Sequence, residues 1–227
     1  MDDYLSEDEK VEALRKWWSE NGKFIIAGIG LGVLGLIGWN RYQANLEKTA
    51  ASGSVVYERL LDAVGRGDSD VAIASQDELD RDFSSTPYPA QGLLAMARLH
   101  LDNGQPESAR DALRELIETD APREILLVGR LRLARVLLYL DRPDEALVTI
   151  DGVDPGSFRS RYDEVRGDIE VAKGDTEAAR QAYQAAIDNA GTPPLVDVQL
   201  VQMKLADLRP ATVDDVMESE NSAGAEQ

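Results

Sequence analysis

Residues 130–153 of the chain read RLRLARVLLYLDRPDEALVTIDGV, and two other segments align with them without a gap. These are LLAMARLHLDNGQPESARDALREL at residues 93–116 and DEVRGDIEVAKGDTEAARQAYQAA at residues 163–186, which start 37 residues before and 33 residues after residue 130. A period of this length is typical of solenoids in which each repeat is a pair of antiparallel helices. The spacing therefore predicts an all-α fold built from stacked helix pairs.

Small residues recur in the three segments where the two helices of a pair would cross. A bulky side chain follows four positions after the small residue of each second helix. The small positions are Ala97, Ala134, Gly167, Ala109, Ala146 and Ala179, and the bulky ones are Leu113, Ile150 and Tyr183. This pattern is typical of tetratricopeptide repeats, but no segment has the leading tryptophan of the consensus, so ordinary helical hairpins remain an alternative. We expect a tetratricopeptide-repeat-like solenoid over residues 55–209, with a degenerate first pair at 55–83 and one closing helix at 195–208.

An uncharged stretch precedes this region. The 17 residues FIIAGIGLGVLGLIGWN, 24–40, lie between Lys23 and Arg41. As a helix they extend about 25 Å, and flanking basic side chains that reach the headgroups make up the difference to a bilayer core of about 30 Å. Tryptophans 17, 18 and 39 stand where interfacial rings are expected. We predict a single transmembrane helix at 24–41, an N-terminal segment at 1–23, and a juxtamembrane linker or helix extension at 42–54.

A cleaved signal peptide and a buried helix of a soluble protein are the alternatives for this apolar stretch. A signal peptide has a short basic leader, whereas residues 1–23 carry seven acidic and four basic side chains. A buried helix has no need of three tryptophans at its borders. Basic residues are slightly more frequent before the span than after it, which favours a cytoplasmic N-terminus and an exported C-terminal domain.

The span has a nearly smooth wall of glycines, among which Gly28, Gly32 and Gly35 are the candidates for packing against another membrane helix. Glycines four residues apart allow two helix backbones to approach closely. The alternative is that glycine is simply frequent in membrane helices.

The negative net charge of the chain argues against a nucleic acid as partner. The chain has 42 acidic and 24 basic residues and a formal net charge of −18. Nucleic-acid binding requires a basic surface, so we expect no nucleic-acid partner. Residues 210–227 contain five acidic side chains, no basic one and little that could be buried, which predicts a disordered acidic tail.

Catalytic, metal and cofactor sites are not indicated by the sequence. There is no cysteine, the single histidine is His100 on a repeat helix, and no metal-ligand or phosphate-loop spacing occurs. We therefore expect a non-enzymatic chain without a cofactor. The inner helices of such repeats line a concave groove, and arginine and tyrosine are frequent binding anchors. The candidate groove residues are Arg98, Leu101, Arg135, Leu138, Tyr139 and Arg161.

The combination of anchor and repeats resembles the YfgM family of ancillary SecYEG translocon subunits. The resemblance lies in the leader MDDYLSEDEKVEALRKWWSENGKFIIAG, the glycine-rich span that ends with Gly38 and Trp39, and the late repeat with RGD at 166–168 and AARQAY at 178–183. It implies a single-pass protein of the bacterial inner membrane with a cytoplasmic N-terminus and a periplasmic repeat domain. The implied partners are the SecYEG channel, the anchored periplasmic chaperone PpiD and exported unfolded chains.

Two functions follow as hypotheses. The first is a membrane-anchored adaptor or chaperone at the Sec translocon that assists exported proteins together with a periplasmic chaperone. The second is a repeat scaffold for cell-envelope or division machinery without a link to the translocon.

Overall fold

The computed structural model describes residues 7–208, so residues 1–6 and 209–227, including the predicted acidic tail, lie outside the described range. The described chain contains helices and no strand, which confirms the all-α prediction. Its helices are α1 (Glu7–Arg66), α2 (Ser69–Asp82), α3 (Tyr88–Asp102), α4 (Pro106–Ile117), α5 (Arg123–Tyr139), α6 (Pro143–Ile150), α7 (Arg159–Lys173), α8 (Thr176–Asp188) and α9 (Val198–Asp207). A short 3-10 turn, Gly156–Phe158, precedes α7.

The chain divides into two compact units, Met1–Ser52 and Gly53–Gln227. In the first unit, helix α1 runs unbroken from Glu7 through the apolar stretch. This helix is long and apolar enough to cross a membrane. Its apolar side chains lie on the surface, with Phe24 exposed by 73% and Leu31 by 70%. Such exposure is unlike that of a core helix in a soluble protein.

In the second unit, each helix packs against the next in the chain. The described contacts run from α2 to α9 in sequence, and α5 also contacts α3 and α7. Contacts between consecutive elements, with first helices touching along one side, are the pattern of a solenoid. Helices α3, α5 and α7 therefore form one layer, and α4, α6 and α8 form the other.

The small residues that the sequence analysis places at helix crossings are buried. Ala109, Ala134, Ala146 and Ala179 are fully inaccessible, and Ala97 is 2% exposed. Gly167 is buried against the ring of Tyr183, where an added Cβ would lie 2.3 Å from a ring carbon. The bulky positions are buried too, at 3% exposure or less. The predicted alternation of small residues at the helix crossings and bulky residues beside them is thus confirmed.

The sequence did not predict two further positions, on α3 and α5, where a glycine lets a neighbouring helix come close. A Cβ on Gly92 would lie 2.0 Å from Gln76 Oε1, and a Cβ on Gly129 would lie 2.8 Å from Leu116. Both glycines stand immediately before an aligned segment, where a first helix meets the second helix of the preceding pair. At this position the third segment has Tyr162, whose hydroxyl donates a 3.0 Å hydrogen bond to the Leu127 carbonyl. Burial raises the pKa of Tyr162 to about 12.

The turns inside the three repeats share one backbone feature. Gly104, Asp141 and Gly174 have φ values of 69°, 58° and 80°, in the left-handed region. Glycine adopts this conformation without steric cost, and aspartate is one of the few other residues that tolerate it. Proline then begins α4 and α6, where its missing N–H leaves no hydrogen bond unmade.

Candidate functional site

A groove of about 400 Å³ lies between α3 and α5 in the layer of first helices. Its floor is apolar because Leu94 and Ala97 on α3 face Val136 on α5, with Leu113 of α4 beneath them. Along its length the groove is also lined by Arg98, Leu101, Asp102, Arg132, Arg135 and Tyr139. The walls therefore combine apolar contact surface with cationic side chains.

A second depression of about 440 Å³ continues the first towards α1. It shares Leu94, Arg98 and Arg132 with the groove and adds Tyr57 and Leu61 of α1. The two depressions thus form one surface along α1, α3 and α5, which we call the inner groove. A surface that spans three helices is long enough for a segment of another polypeptide to lie along it.

The electrostatics of the inner groove are opposite to those of the chain as a whole. Arg98 pairs with Asp102 at 3.4 Å, but their side chains are 75% and 59% exposed, so solvent screens this ion pair. Arg132 donates to the Leu94 carbonyl at 3.4 Å, and within residues 7–208 no carboxylate forms an ion pair with it. Arg135 lies 3.6 Å from Glu164 of α7. An anionic ligand would find arginine N–H groups available here.

Among the large side chains of the inner groove, Tyr139 and Leu101 of the α3–α5 part are exposed to solvent. Tyr139 is 77% exposed and Leu101 is 41% exposed. Tyrosine offers a large apolar face together with a hydroxyl, and it is enriched among the residues that dominate binding energy at protein interfaces. This arrangement of apolar and hydrogen-bonding groups suits contact with a polypeptide.

The structure brings four of the six predicted groove residues together: Arg98, Leu101, Arg135 and Tyr139 all line the groove. Leu138 instead packs, partly buried, against the main hydrophobic core. Tyr139 is one residue further, a rotation of about 100° around the helix, so the two side chains meet different surroundings. Arg161 lies in the first turn of α7, outside the lining of the groove. These two residues therefore lie outside the lining of this groove, and a binding role for the six predicted residues stays a prediction.

Sequence reasoning missed Leu94 and Arg132. Leu94 precedes Arg98 by four residues on α3, and Arg132 precedes Arg135 by three on α5. Spacings of three and four place side chains on one face of a helix. Including the residues one helical turn before Arg98 and Arg135 would have found both of them.

A charged cluster next to the groove holds the last described helix in place. Lys204 on α9 donates to Glu164 Oε1 at 2.9 Å and to Asp168 Oδ1 at 2.8 Å, both on α7. Tyr183 donates to the same Asp168 oxygen at 2.7 Å. Burial, followed by this hydrogen bond, raises the pKa of Tyr183. For Lys204 burial lowers the pKa, but the hydrogen bonds to Asp168 and Glu164 outweigh it, so its pKa is raised.

Similarity to known proteins agrees with this architecture. The model of the tetratricopeptide repeat-like domain family matches residues 15–210. The ancillary SecYEG translocon subunit of Escherichia coli (strain K12) is 31% identical over 92% of this chain and 99% of its own length. The protein with the same name from Aggregatibacter actinomycetemcomitans is 30% identical over 90% of this chain and 98% of its own. The chain belongs to the YfgM family of ancillary SecYEG translocon subunits. A more distant protein with this name, from Neisseria gonorrhoeae, is 23% identical over 91% of the chain. No solved structure matches the chain.

Membership of this YfgM family confirms two further expectations, the tetratricopeptide-repeat-like solenoid and the absence of enzymatic activity, because its members are ancillary adaptor subunits. The geometry around His100 agrees. His100 lies in the last turn of α3, and its Nδ1 is 3.1 Å from Oε1 of Gln105, the residue before α4, which is a local contact. Across residues 7–208, no group of three or more histidine, aspartate and glutamate side chains is arranged to hold a metal ion.

The glycines of the predicted packing wall lie on the surface of α1. A Cβ added to Gly28, Gly32 or Gly35 would meet nothing within 4 Å. The wall is therefore accessible to another helix, and its role in membrane packing stays a prediction.

Proposed function

We propose that this YfgM-family chain is a membrane-anchored adaptor that associates with the SecYEG translocon and holds a segment of a partner protein in its inner groove. The observation that carries the proposal is the apolar groove with arginine walls and the exposed Tyr139, on a chain whose relatives are named for the translocon. The partners we propose are the channel itself, a PpiD-like periplasmic chaperone and exported unfolded chains.

In the proposed topology, residues 24–41 span the inner membrane, the N-terminus is cytoplasmic and the repeat domain is periplasmic. Supporting it, Lys10, Arg15, Lys16 and Lys23 precede the apolar stretch, and cytoplasmic flanks are enriched in such residues. In the span, Gly28, Gly32 and Gly35 would pack against a helix of the membrane complex. Anchoring in the same membrane raises the effective concentration of the groove near emerging chains, so weak contacts suffice.

The topology can be tested with single cysteines, because the chain has none of its own. Val148→Cys on α6 and Ser19→Cys before the span introduce thiols at exposed positions. A membrane-impermeant maleimide added to spheroplasts should label Val148→Cys and leave Ser19→Cys unlabelled until the membrane is opened. The opposite pattern would refute the orientation.

The binding role can be tested by photo-crosslinking of the full-length protein in native membranes. A photoreactive amino acid at Leu101 probes the inner groove, and the same amino acid at Val148 is the matched control on the opposite layer. We expect the groove position to capture translocon subunits, a periplasmic chaperone or exported chains, and the control to capture none of them. Capture of division or envelope-assembly proteins alone at Leu101 would instead favour the scaffold hypothesis.

A further inference from the structure

We infer that the acidic segment of this same chain at residues 209–227 docks in the inner groove and competes there with partner proteins. The segment reads RPATVDDVMESENSAGAEQ and follows directly after Leu208, the residue that caps α9. The inference rests on the proposed function in one respect, namely that the inner groove is a polypeptide-binding surface.

Charge complementarity is the first argument. Arg98, Arg132 and Arg135 line the groove, against one acidic lining residue, Asp102. The segment offers Asp214, Asp215 and Glu218 within five residues, together with two further glutamates. Ion pairs between these groups would replace solvent contacts of arginines that are 44% exposed at Arg135 and 75% exposed at Arg98. An exposed ion pair contributes little by itself because solvent and salt screen it, so several are needed together.

Apolar complementarity is the second argument. The groove presents Leu94 and Val136 on its floor and an exposed Leu101 at its edge. The segment contains Val213, Val216 and Met217. Spacings of three and four residues between apolar side chains are those by which a short helix anchors itself in a groove. In such a bound form the three apolar side chains would share one face, with acidic residues beside them.

The position of α9 is the third argument. Lys204 of α9 is bonded to Glu164 at 2.9 Å, and Glu164 is in turn 3.6 Å from Arg135, a wall of the groove. The helix from which the segment departs is thus joined to the groove by two consecutive ion pairs. Val213 lies five residues after Leu208 and Glu218 ten, so at about 3.3 Å per residue they reach about 17 Å and about 33 Å from the end of α9. An intramolecular ligand on so short a connection has an effective concentration in the millimolar range.

Disulfide trapping in the purified full-length protein, kept in detergent micelles, tests the docking. Met217→Cys in the segment is combined with Leu101→Cys in the groove, and the control pair combines Met217→Cys with Val148→Cys on α6. Val148 is 76% exposed and Leu101 41%, so side-chain exposure alone favours the control. Under a mild oxidant we expect the groove pair to form an intramolecular disulfide at least about tenfold faster, because docking raises the local thiol concentration.

Charge variants make the test specific. Asp214→Asn, Asp215→Asn and Glu218→Gln together, or Arg132→Gln alone, should slow the groove pair towards the control rate. Arg180→Gln removes an exposed arginine of α8 that pairs with Glu177, and should leave the rate unchanged. Equal rates of disulfide formation for the two cysteine pairs would overturn the docking. So would a rate for the groove pair that does not change when the acidic residues are substituted. A disulfide that links only two separate chains would assign the groove to the segment of a second copy and would overturn it as well.

A second arm separates this inference from the proposed function. Deletion of residues 209–227 should increase the photo-crosslinks from Leu101 to partners in native membranes, since the competing segment is gone. If the disulfide forms as expected while neither the full nor the shortened chain captures any partner, the docking is supported and the partner-binding role is contradicted.

Discussion

Replacing Gly167 with alanine tests the close crossing of α7 and α8 on which the repeat depends. The new Cβ would lie 2.3 Å and 2.4 Å from two carbons of the Tyr183 ring, whereas ordinary van der Waals contact begins at 3.4 Å. The ring would have to retreat by about 1 Å. It is 3% exposed, and its hydroxyl is held by Asp168 at 2.7 Å, so the retreat moves a packed side chain and strains a hydrogen bond.

The magnitude follows from three opposing contributions. Overpacking a core costs about 1–3 kcal/mol, and weakening the hydrogen bond to a carboxylate adds about 1 kcal/mol. Alanine in a helix interior returns about 1 kcal/mol relative to glycine. We therefore expect the Gly167→Ala variant to lose about 2 kcal/mol of stability, which for a domain of this size lowers Tm by about 4–8 °C.

Circular dichroism during thermal unfolding of the full-length protein in detergent provides the measurement. Gly65→Ala is the matched control, because this glycine also lies in a helix but has no atom within 4 Å of an added Cβ. The control should be neutral or slightly stabilised. Combining Gly167→Ala with Tyr183→Leu should cost less than the sum of the two single substitutions, since the smaller side chain makes room. An unchanged or higher Tm for Gly167→Ala would refute the close crossing.

Three further predictions concern the same domain. Asp141→Gly should increase the free energy of unfolding by about 0.5–1 kcal/mol and raise Tm accordingly, because Asp141 is the non-glycine residue with positive φ at a repeat turn. Asp175→Ala should cost about 1 kcal/mol in urea unfolding, because its carboxylate accepts the Ala178 N–H at 2.9 Å and caps α8. Stability should also fall above about pH 10, the ordinary pKa of tyrosine, because raised pKa values of Tyr183 and Lys204 mean that the folded state holds their protons more tightly. A Tyr183→Phe, Lys204→Met variant should show a shallower alkaline loss in thermal unfolding, and an identical profile would contradict the assignment.

Much of the fold was predictable because the repeat imposes a steric rule that is visible in the sequence. Wherever two helices cross closely, the side chain must be small, so Ala109 and Ala146 reveal the crossings without any structure. The rule works at a fixed offset within each aligned segment. Gly92 and Gly129 were not predicted because they lie one position before the aligned segments. The residue that precedes the third segment is not small but Tyr162, so no pattern of small residues is visible at this position.

The site was predictable only in part, for a geometric reason. A helical pattern tells which residues share a face, but the direction of that face depends on how the neighbouring pair is rotated. Leu138 and Tyr139 are adjacent in sequence, and the packing of α5 turns the first towards the core and the second towards solvent. The cluster around Lys204 depends on contacts between residues about 40 positions apart, which no local pattern encodes.

The shallow form of the inner groove suits a ligand that must be released again. Each of its two depressions, of about 400 Å³ and about 440 Å³, has a volume near the lower end of ligand pockets, and its arginines are partly exposed. At a millimolar effective concentration, a Kd of about 1 mM gives half occupancy and corresponds to a binding free energy of only about −4 kcal/mol. With an association rate of about 10⁶ M⁻¹s⁻¹, such a complex dissociates about 10³ times per second. If the groove holds a partner segment as proposed, a segment held this briefly can leave it for a folding factor, and the acidic segment of the same chain needs no greater affinity to compete.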